Sequence, residues 1–432
     1  MSGLTINIRE WDELLPVKGS SLYQYFLEDE ASRQIVSVLN EKGILNIIEL
    51  KEGIKISSNS YVGKIKIGDI QINIRPKIEG MPLYKLLKYA YGLRDLNIFD
   101  EAIYDVDSFP FQDLLIYQLY AEAEDLIYRG LNKKYVRQEE DLGTPKGRIN
   151  IGKLATRNHI PSATLPCSYY DRSEDNLFNR VLLAGLQLAI YLTEDLSLRI
   201  QLSRLCKTLE DNVKQIDLNR GILLKTLKSV DRLSDRYNSA LELINILYES
   251  QGIQLEDGRA YMKLNGFFFD MNMFFQSLLS KLMGEYLLGF TIRDEFTLQE
   301  MFAYTPGFNP QRRYAPKPRP DFAVMNGVKV IRLLDAKYRD LWETKLPREM
   351  LYQLSIYAVS GIGNSTAKII YPSMTSGAKL QKININNPAT GDKLAEVMLQ
   401  PLHMVELAQM MGLRKNDKTK LQEYITQIVF SN

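Results

Sequence analysis

The chain has 432 residues, 45% of them hydrophobic and 25% charged, with a formal net charge of +2 at pH 7. That balance excludes a disordered or fibrous protein and leaves room for two or three domains with sizeable cores. It also excludes a broadly basic nucleic-acid binder, so contact with nucleic acid must be local or lent by a partner.

No run of apolar residues is long enough for a membrane span, and no membrane contact is expected. The start, MSGLTINIREWDELL, lacks the basic-then-apolar pattern of a signal peptide, and a cytoplasmic location is the expectation. Cys167 and Cys206 suggest no disulfide framework, and with only two histidines the chain offers no zinc spacing. No GxxxxGK[ST] loop occurs, so nucleotide binding and hydrolysis would belong to another chain.

Taken in order, residues 1–80 read as a β-rich N-terminal module. The stretch from Ser21 to Gly43 looks helical. Ile65 and Ile67, then Ile70, Ile72 and Ile74, alternate about Gly68-Asp69, a two-residue hairpin connection. The favoured role for this module is a scaffold; contact with DNA or a partner through Arg75 and Lys77 is the alternative.

Residues 81–258 read as a helical middle. Helices are expected over 82–93, 110–130, 177–192, 196–213 and 233–250, the third of them capped by Ser173 or Asp175. Residues 135–157 read as loop and strand. Lys146, Arg148, Lys153 and Arg157 make them basic, most simply as a solvated face, with phosphate contact as the alternative.

Residues 259–432 read as an α/β domain that carries the chemistry. A core helix follows Asp270. Residues 309–320, NPQRRYAPKPRP, hold Arg312, Arg313, Lys317 and Arg319 with no acid, and their prolines keep them extended. Such residues would neutralise DNA phosphates beside a cleavage site. Next come two apolar, β-branched runs joined at Asn326-Gly327, a strong hairpin signal. A hairpin brings its open ends together, so Asp321 at the start of the first strand meets Asp335 and Lys337 at the end of the second. Period two places Asp335 and Lys337 on one face.

Two carboxylates in reach of each other repel, and burial makes their charge costlier. A divalent cation, Mg²⁺ or Mn²⁺, removes that cost and can activate water against a phosphodiester. Asp321 and Asp335 are therefore the candidate metal ligands, helped by the Ala336 carbonyl, and Lys337 would hold water or offset developing charge. A helix at 349–360 places Gln353 and Tyr357 four residues apart on one face, where they could support water or phosphate. A buried strand, AKIIYPS, an edge strand, QKININ, and a closing helix or helix pair over 401–430 complete the domain. His403 reads as a core residue.

The order Pro320-Asp321, hairpin, Asp335-Ala336-Lys337, helix with Gln353 and Tyr357 resembles the PD-(D/E)xK nuclease superfamily, and its Q-x-x-x-Y resembles the RecB-like branch. The flanks narrow the resemblance to the McrC family: Ile74-Arg75-Pro76-Lys77-Ile78 with LYKLLKYAYGL after it, Gly147-Arg148-Ile149, SEDNLFNR at 173–180 and DMNMFFQSLL at 270–279. The resemblance implies an α+β multidomain chain ending in a PD-(D/E)xK nuclease domain. It implies a Mg-dependent DNA endonuclease subunit of a restriction system that acts on DNA carrying modified cytosine, working with a hexameric McrB-like AAA+ GTPase docked before the nuclease. McrC-like sequences usually carry Glu where this chain has Gln276, and an acid where it has Met350 beside Glu349. Glu285 or Glu295 could substitute for the missing acid, or the copy could be weakened. A RecB-like repair nuclease acting with a helicase, and a nuclease-dead bridge that only activates an NTPase ring, are the alternatives.

Overall fold

The computed structural model describes residues 4–93, 111–156, 163–251, 254–257, 260–263, 266–411 and 418–431. They form a mixed α+β protein with two compact units, one holding residues up to 93 together with those from 254 onward, the other holding 111–251. Among the described residues, no helix is long and apolar enough to cross a membrane.

The first unit begins with β1 (Leu4–Arg9), β2 (Glu13–Leu14), α1 (Glu30–Glu41), β3 (Leu45–Leu50), β4 (Gly53–Ser58), β5 (Tyr61–Ile67), β6 (Ile70–Arg75) and α2 (Gly80–Tyr91). The isoleucines of β5 and β6 face one core, with Gly68 at φ 56° turning the hairpin. Helix α1 is shorter than its sequence suggests. Asp29 accepts from the Ser32 amide at 2.6 Å and so starts the helix there, while Leu22 and Leu27 are drawn into the core from irregular backbone. Gly92 in the left-handed region ends α2.

The second unit contains α3 (Phe111–Tyr128), β7 (Lys134–Leu142), β8 (Arg148–Ile149), α4 (Ile151–Ala155), β9 (Leu165–Ser173), α5 (Leu177–Leu192), α6 (Leu196–Glu210), α7 (Arg220–Lys228) and α8 (Asn238–Ser250). Helix α5 matches its apolar pattern and packs on α6 and α8. Its cap is Asn176, whose side chain accepts from Phe178 and Asn179; Ser173 and Asp175 do not cap it, because Asp175 is paired with Arg180 at 2.6 Å. β9 pairs with β7 and β8 in a three-stranded sheet whose Tyr135 and Tyr170 stay exposed. Arg148 lies on β8, Lys153 on α4 and Lys146 in the connection between β7 and β8, while Arg157 is outside the described residues.

The first unit then resumes with β10 (Gln254–Asp257), β11 (Ala260–Lys263), β12 (Gly266–Asp270), α9 (Met271–Tyr286), β13 (Thr291–Asp294), β14 (Phe322–Asn326), β15 (Lys329–Ala336), α10 (Arg348–Val359), β16 (Thr366–Ser373), β17 (Gln381–Asn386), β18 (Lys393–His403), α11 (Met404–Met411) and α12 (Lys418–Phe430). β12 joins the N-terminal sheet in the order β1-β6-β5-β12. Gly63 of β5 sits at φ 142°, where a Cβ would collide with the Phe267 carbonyl, so glycine is what lets β12 lie this close.

A six-stranded sheet, ordered β13-β14-β15-β16-β18-β17, holds the second core of the unit. The expected hairpin is β14–β15, with Gly327 at φ 60°. β15, β16 and β18 run parallel, and α10 crosses over between β15 and β16. β17 is an edge strand, with β13 at the opposite edge. β18 corrects the expected start of the closing helices: residues 401–403 are extended, as the end of a strand that fills the place between β16 and β17 and is buried from Ala395 to Leu402.

Candidate active site

The hairpin brings its ends together as its sequence requires. Asp321 directly precedes β14 and Asp335 lies in the last turn of pleat of β15. The Ala336 amide donates to Asp321 Oδ2 at 2.8 Å, which ties the two strand ends across the site. Lys337 Nζ stands 3.1 Å from Asp335 Oδ2. Helix α10 contributes Gln353 and Tyr357 from the face it turns to the sheet.

Burial dominates the electrostatics. Asp335 is 1% exposed, and neither of its carboxylate oxygens has an aligned hydrogen bond; Lys337 is an ion-pair neighbour rather than a well-directed donor. Burial and then the Asp321 charge push the Asp335 carboxyl up to about 6. Burial raises Asp321 too, against the Ala336 amide, Lys337 and Gln276, which favour its charged form. Burial opposes the charge on Lys337, but the two carboxylates outweigh it and hold its pKa above the ordinary lysine value. The two acids thus share a site in which neither is comfortably ionised and Asp335 is answered by the Lys337 ion pair alone on Oδ2, with no aligned hydrogen bond on Oδ1. A hard divalent cation fits that donor set: it supplies the positive charge and the oxygen coordination that the protein alone does not.

A third acid does not join them. Among the described residues, no cluster of three or more Asp, Glu, His or Cys forms. Glu285 and Glu295 are committed elsewhere: Glu285 accepts from the Tyr89 hydroxyl at 2.8 Å, and Glu295 pairs with Arg319. The position from α9 is filled by Gln276, whose side chain favours the charged form of Asp321.

Gln353 and Tyr357 form a relay with a structural end. Gln353 Nε2 donates to the Tyr357 hydroxyl at 2.7 Å, and that hydroxyl donates to the Arg319 carbonyl at 3.0 Å. The pair therefore grips the backbone two residues before Asp321. Arg319 begins the site side of a long loop closed by a Leu298 amide to Pro318 carbonyl bond of 2.9 Å. Arg312, Arg313 and Lys317 project from this loop, exposed and with no acidic partner among the described residues, while Arg319 is held by Glu295. Tyr314, 96% exposed, and Phe308 stand on the same loop. His403, at the end of β18, has its amide bonded to the Tyr424 hydroxyl at 3.0 Å.

Residues 56–372 match the family model described as McrBC 5-methylcytosine restriction system component. The chain is similar to a chain of the Thermococcus gammatolerans assembly of McrB AAA+ hexamers with bound McrC, at 18% identity and a TM-score of 0.61, covering 98% of this chain and 100% of that one. It is also similar to a chain of the cryo-EM structure of the T. gammatolerans McrBC complex, at 19% identity and a TM-score of 0.47, covering 67% of this chain and 89% of that one. No curated protein matches. The first likeness is one of fold, running the length of both chains, and the family match spans most of the sequence, including every residue of the acid pair, the lysine and the α10 relay: the chain belongs to the family of McrBC 5-methylcytosine restriction system components.

Proposed function

We propose that this chain is the endonuclease subunit of a modification-dependent restriction complex, with a PD-(D/E)xK-type domain that hydrolyses DNA phosphodiesters using Mg²⁺ or Mn²⁺. The observation that carries the reading is the Asp321–Asp335 pair, buried, mutually repelling and beside Lys337, at the carboxyl end of a strand in a partly parallel sheet.

Asp321 and Asp335, with the Ala336 carbonyl, would hold the cation. Bound there, it would acidify an attacking water and draw charge from the phosphodiester. Lys337 places a fixed positive charge next to the pair and can hold the water or balance the phosphate as its charge grows. Gln276 steadies Asp321 in its charged form. The Gln353–Tyr357 relay fixes the chain that presents Asp321. Arg312, Arg313 and Lys317, with Arg319 in reserve behind Glu295, would neutralise backbone phosphates on the approach to the acids.

Within this reading, residues 259–432 are the nuclease, residues 1–80 its scaffold and residues 81–258 the region that docks a hexameric GTP-hydrolysing AAA+ partner. The partner would supply nucleotide hydrolysis, and the complex would act on double-stranded DNA with modified cytosine in the cytoplasm. One observation favours a second reading: with Gln276 in place of an acid, the chain would be a bridge that activates the ring without cutting.

The two readings separate in one experiment. DNA cleavage is measured with the partner, Mg²⁺ and GTP, on methylated and unmethylated DNA, for wild type and Asp335→Ala. Cleavage of methylated DNA by wild type, lost in the variant while GTPase stimulation persists, supports the nuclease. Stimulation without cleavage by wild type would leave the bridge.

A further inference from the structure

Tyr338, the residue after Lys337, is held by all three of its polar groups. Its amide donates to Asn272 Oδ1 at 3.3 Å, its carbonyl accepts from Trp11 Nε1 at 2.7 Å, and its hydroxyl donates to Glu10 Oε1 at 2.8 Å. Asn272 is itself anchored through Nδ2 to Ser60 Oγ at 2.5 Å. Two of the three anchors thus lie just beyond β1, and the third leans on the start of β5. Phe275 closes the other side with its ring edge-on at 5.9 Å. One residue earlier, the Lys337 amide donates to the Ile370 carbonyl at 3.1 Å. The backbone that launches the Lys337 side chain is therefore fixed on both flanks.

The composition of this clamp argues for orientation rather than filling. Glu10 is fully buried, with Oε1 accepting from both Tyr338 and the Lys77 amide at 2.6 Å and with Oε2 unbonded. A buried carboxylate with an idle oxygen costs stability, and an apolar side chain of that size would fill the space more cheaply. Trp11 adopts φ 60°, a conformation that disfavours large side chains. In return its indole reaches the Tyr338 carbonyl, and the Arg339 guanidinium lies 5.2 Å from its ring. Both residues accept an unfavourable state in order to meet one peptide.

We infer that Glu10 and Trp11 are positioning residues for Lys337: the N-terminal segment sets the backbone from which the lysine reaches Asp335. The inference rests on Lys337 serving the site described above, yet it can fail or stand separately from the nuclease reading.

The test uses the full chain as wild type, Glu10→Ala, Glu10→Gln and Tyr338→Phe. The first readout needs neither partner nor metal: the rate at which an N-hydroxysuccinimide ester acylates Lys337, followed by mass spectrometry against the other lysines of the same molecule. The second is single-turnover DNA cleavage with the partner. Glu10→Ala and Tyr338→Phe are expected to speed acylation of Lys337 several-fold while the other lysines are unchanged. They should slow cleavage by about tenfold or more, since small misplacements of a catalytic group are costly, with the KM for DNA unaltered. Glu10→Gln keeps the acceptor at Oε1 and should restore both readouts. Unchanged Lys337 acylation in Glu10→Ala would overturn the inference. Should Glu10→Ala fail to fold, Tyr338→Phe, which removes a single oxygen, decides by the same criterion. Absent cleavage by wild type would sink the nuclease reading and leave the acylation result to judge the clamp.

Discussion

The Gln276 side chain favours the charged form of the Asp321 carboxylate where burial opposes it. A neutral amide does from α9 what a third acid would do only with a cation present. Gln276→Glu therefore makes stability conditional on metal. In EDTA the variant should melt below wild type, because three carboxylates then crowd one buried site. Added Mg²⁺ or Mn²⁺ should raise its Tm by more than it raises that of wild type, binding at a hundredfold excess over Kd contributing about 2.7 kcal/mol. Equal metal-induced shifts in the two proteins would place Gln276 outside the cation's reach.

Glu10 gives the clamp a pH signature in stability. Burial is the largest influence and raises its carboxyl to about 7, against the Lys77 amide and the Tyr338 hydroxyl, which favour its charge. A carboxyl raised on folding is unpenalised below its unfolded pKa, near 4.5, and its contribution is lost as pH climbs through the folded value. The loss approaches about 3 kcal/mol above pH 7. Glu10→Gln removes it. Urea unfolding should find the variant little different from wild type at pH 4.5 and more stable than wild type at pH 8. The same difference at both values would mean that Glu10 ionises as readily folded as unfolded.

The basic loop separates its cations by their company. Arg312, Arg313 and Lys317 have no acidic partner among the described residues, whereas Arg319 is paired with Glu295. Each phosphate contact adds about 0.9 to the slope of log affinity against log salt. The triple variant Arg312→Ala/Arg313→Ala/Lys317→Ala should flatten that slope for DNA binding by about 2 to 3. Arg319→Ala alone should change it little. A slope indifferent to the triple variant would move DNA contact to another surface.

Tyr357→Phe severs the α10 relay while sparing packing. It removes the bond to the Arg319 carbonyl and the acceptor for Gln353. The expected loss is about 1–2 kcal/mol of stability, together with slower single-turnover cleavage as Asp321 loses its tether. Gln353→Leu keeps the Tyr357–Arg319 bond and should cost less on both counts. If Gln353→Leu is the more damaging for cleavage, Gln353 meets water or phosphate directly.

The acid pair was legible because local rules decide it. Asn326-Gly327 admits the turn, period two orients Asp335, and a hairpin must bring Asp321 beside Ala336. Helix α5 was equally plain from its apolar spacing, though its cap fell to Asn176 once Arg180 had claimed Asp175. What escaped was set by distant partners. β18 carries extended backbone on to His403 because it fills the place between β16 and β17, partners that residues 401–403 do not name locally. Glu10 and Trp11 look like any polar strand end until Tyr338 is brought to them. The division at residues 80 and 258 follows chain order and does not anticipate that β12 completes the first sheet.

That fourth strand bears on how the protein is made. β5 leaves the ribosome on the order of 200 residues before β12, the neighbour whose close approach requires Gly63. At translation rates of about 5–20 residues per second, one edge of the nascent N-terminal sheet waits roughly 10–40 seconds for its mate. During that interval β5 offers unpaired backbone to any passing chain, and the intervening helical unit has time to fold. Slow synthesis or a stalled ribosome should therefore expose this edge to chaperones or to aggregation long before Asp321 and Asp335 have been made.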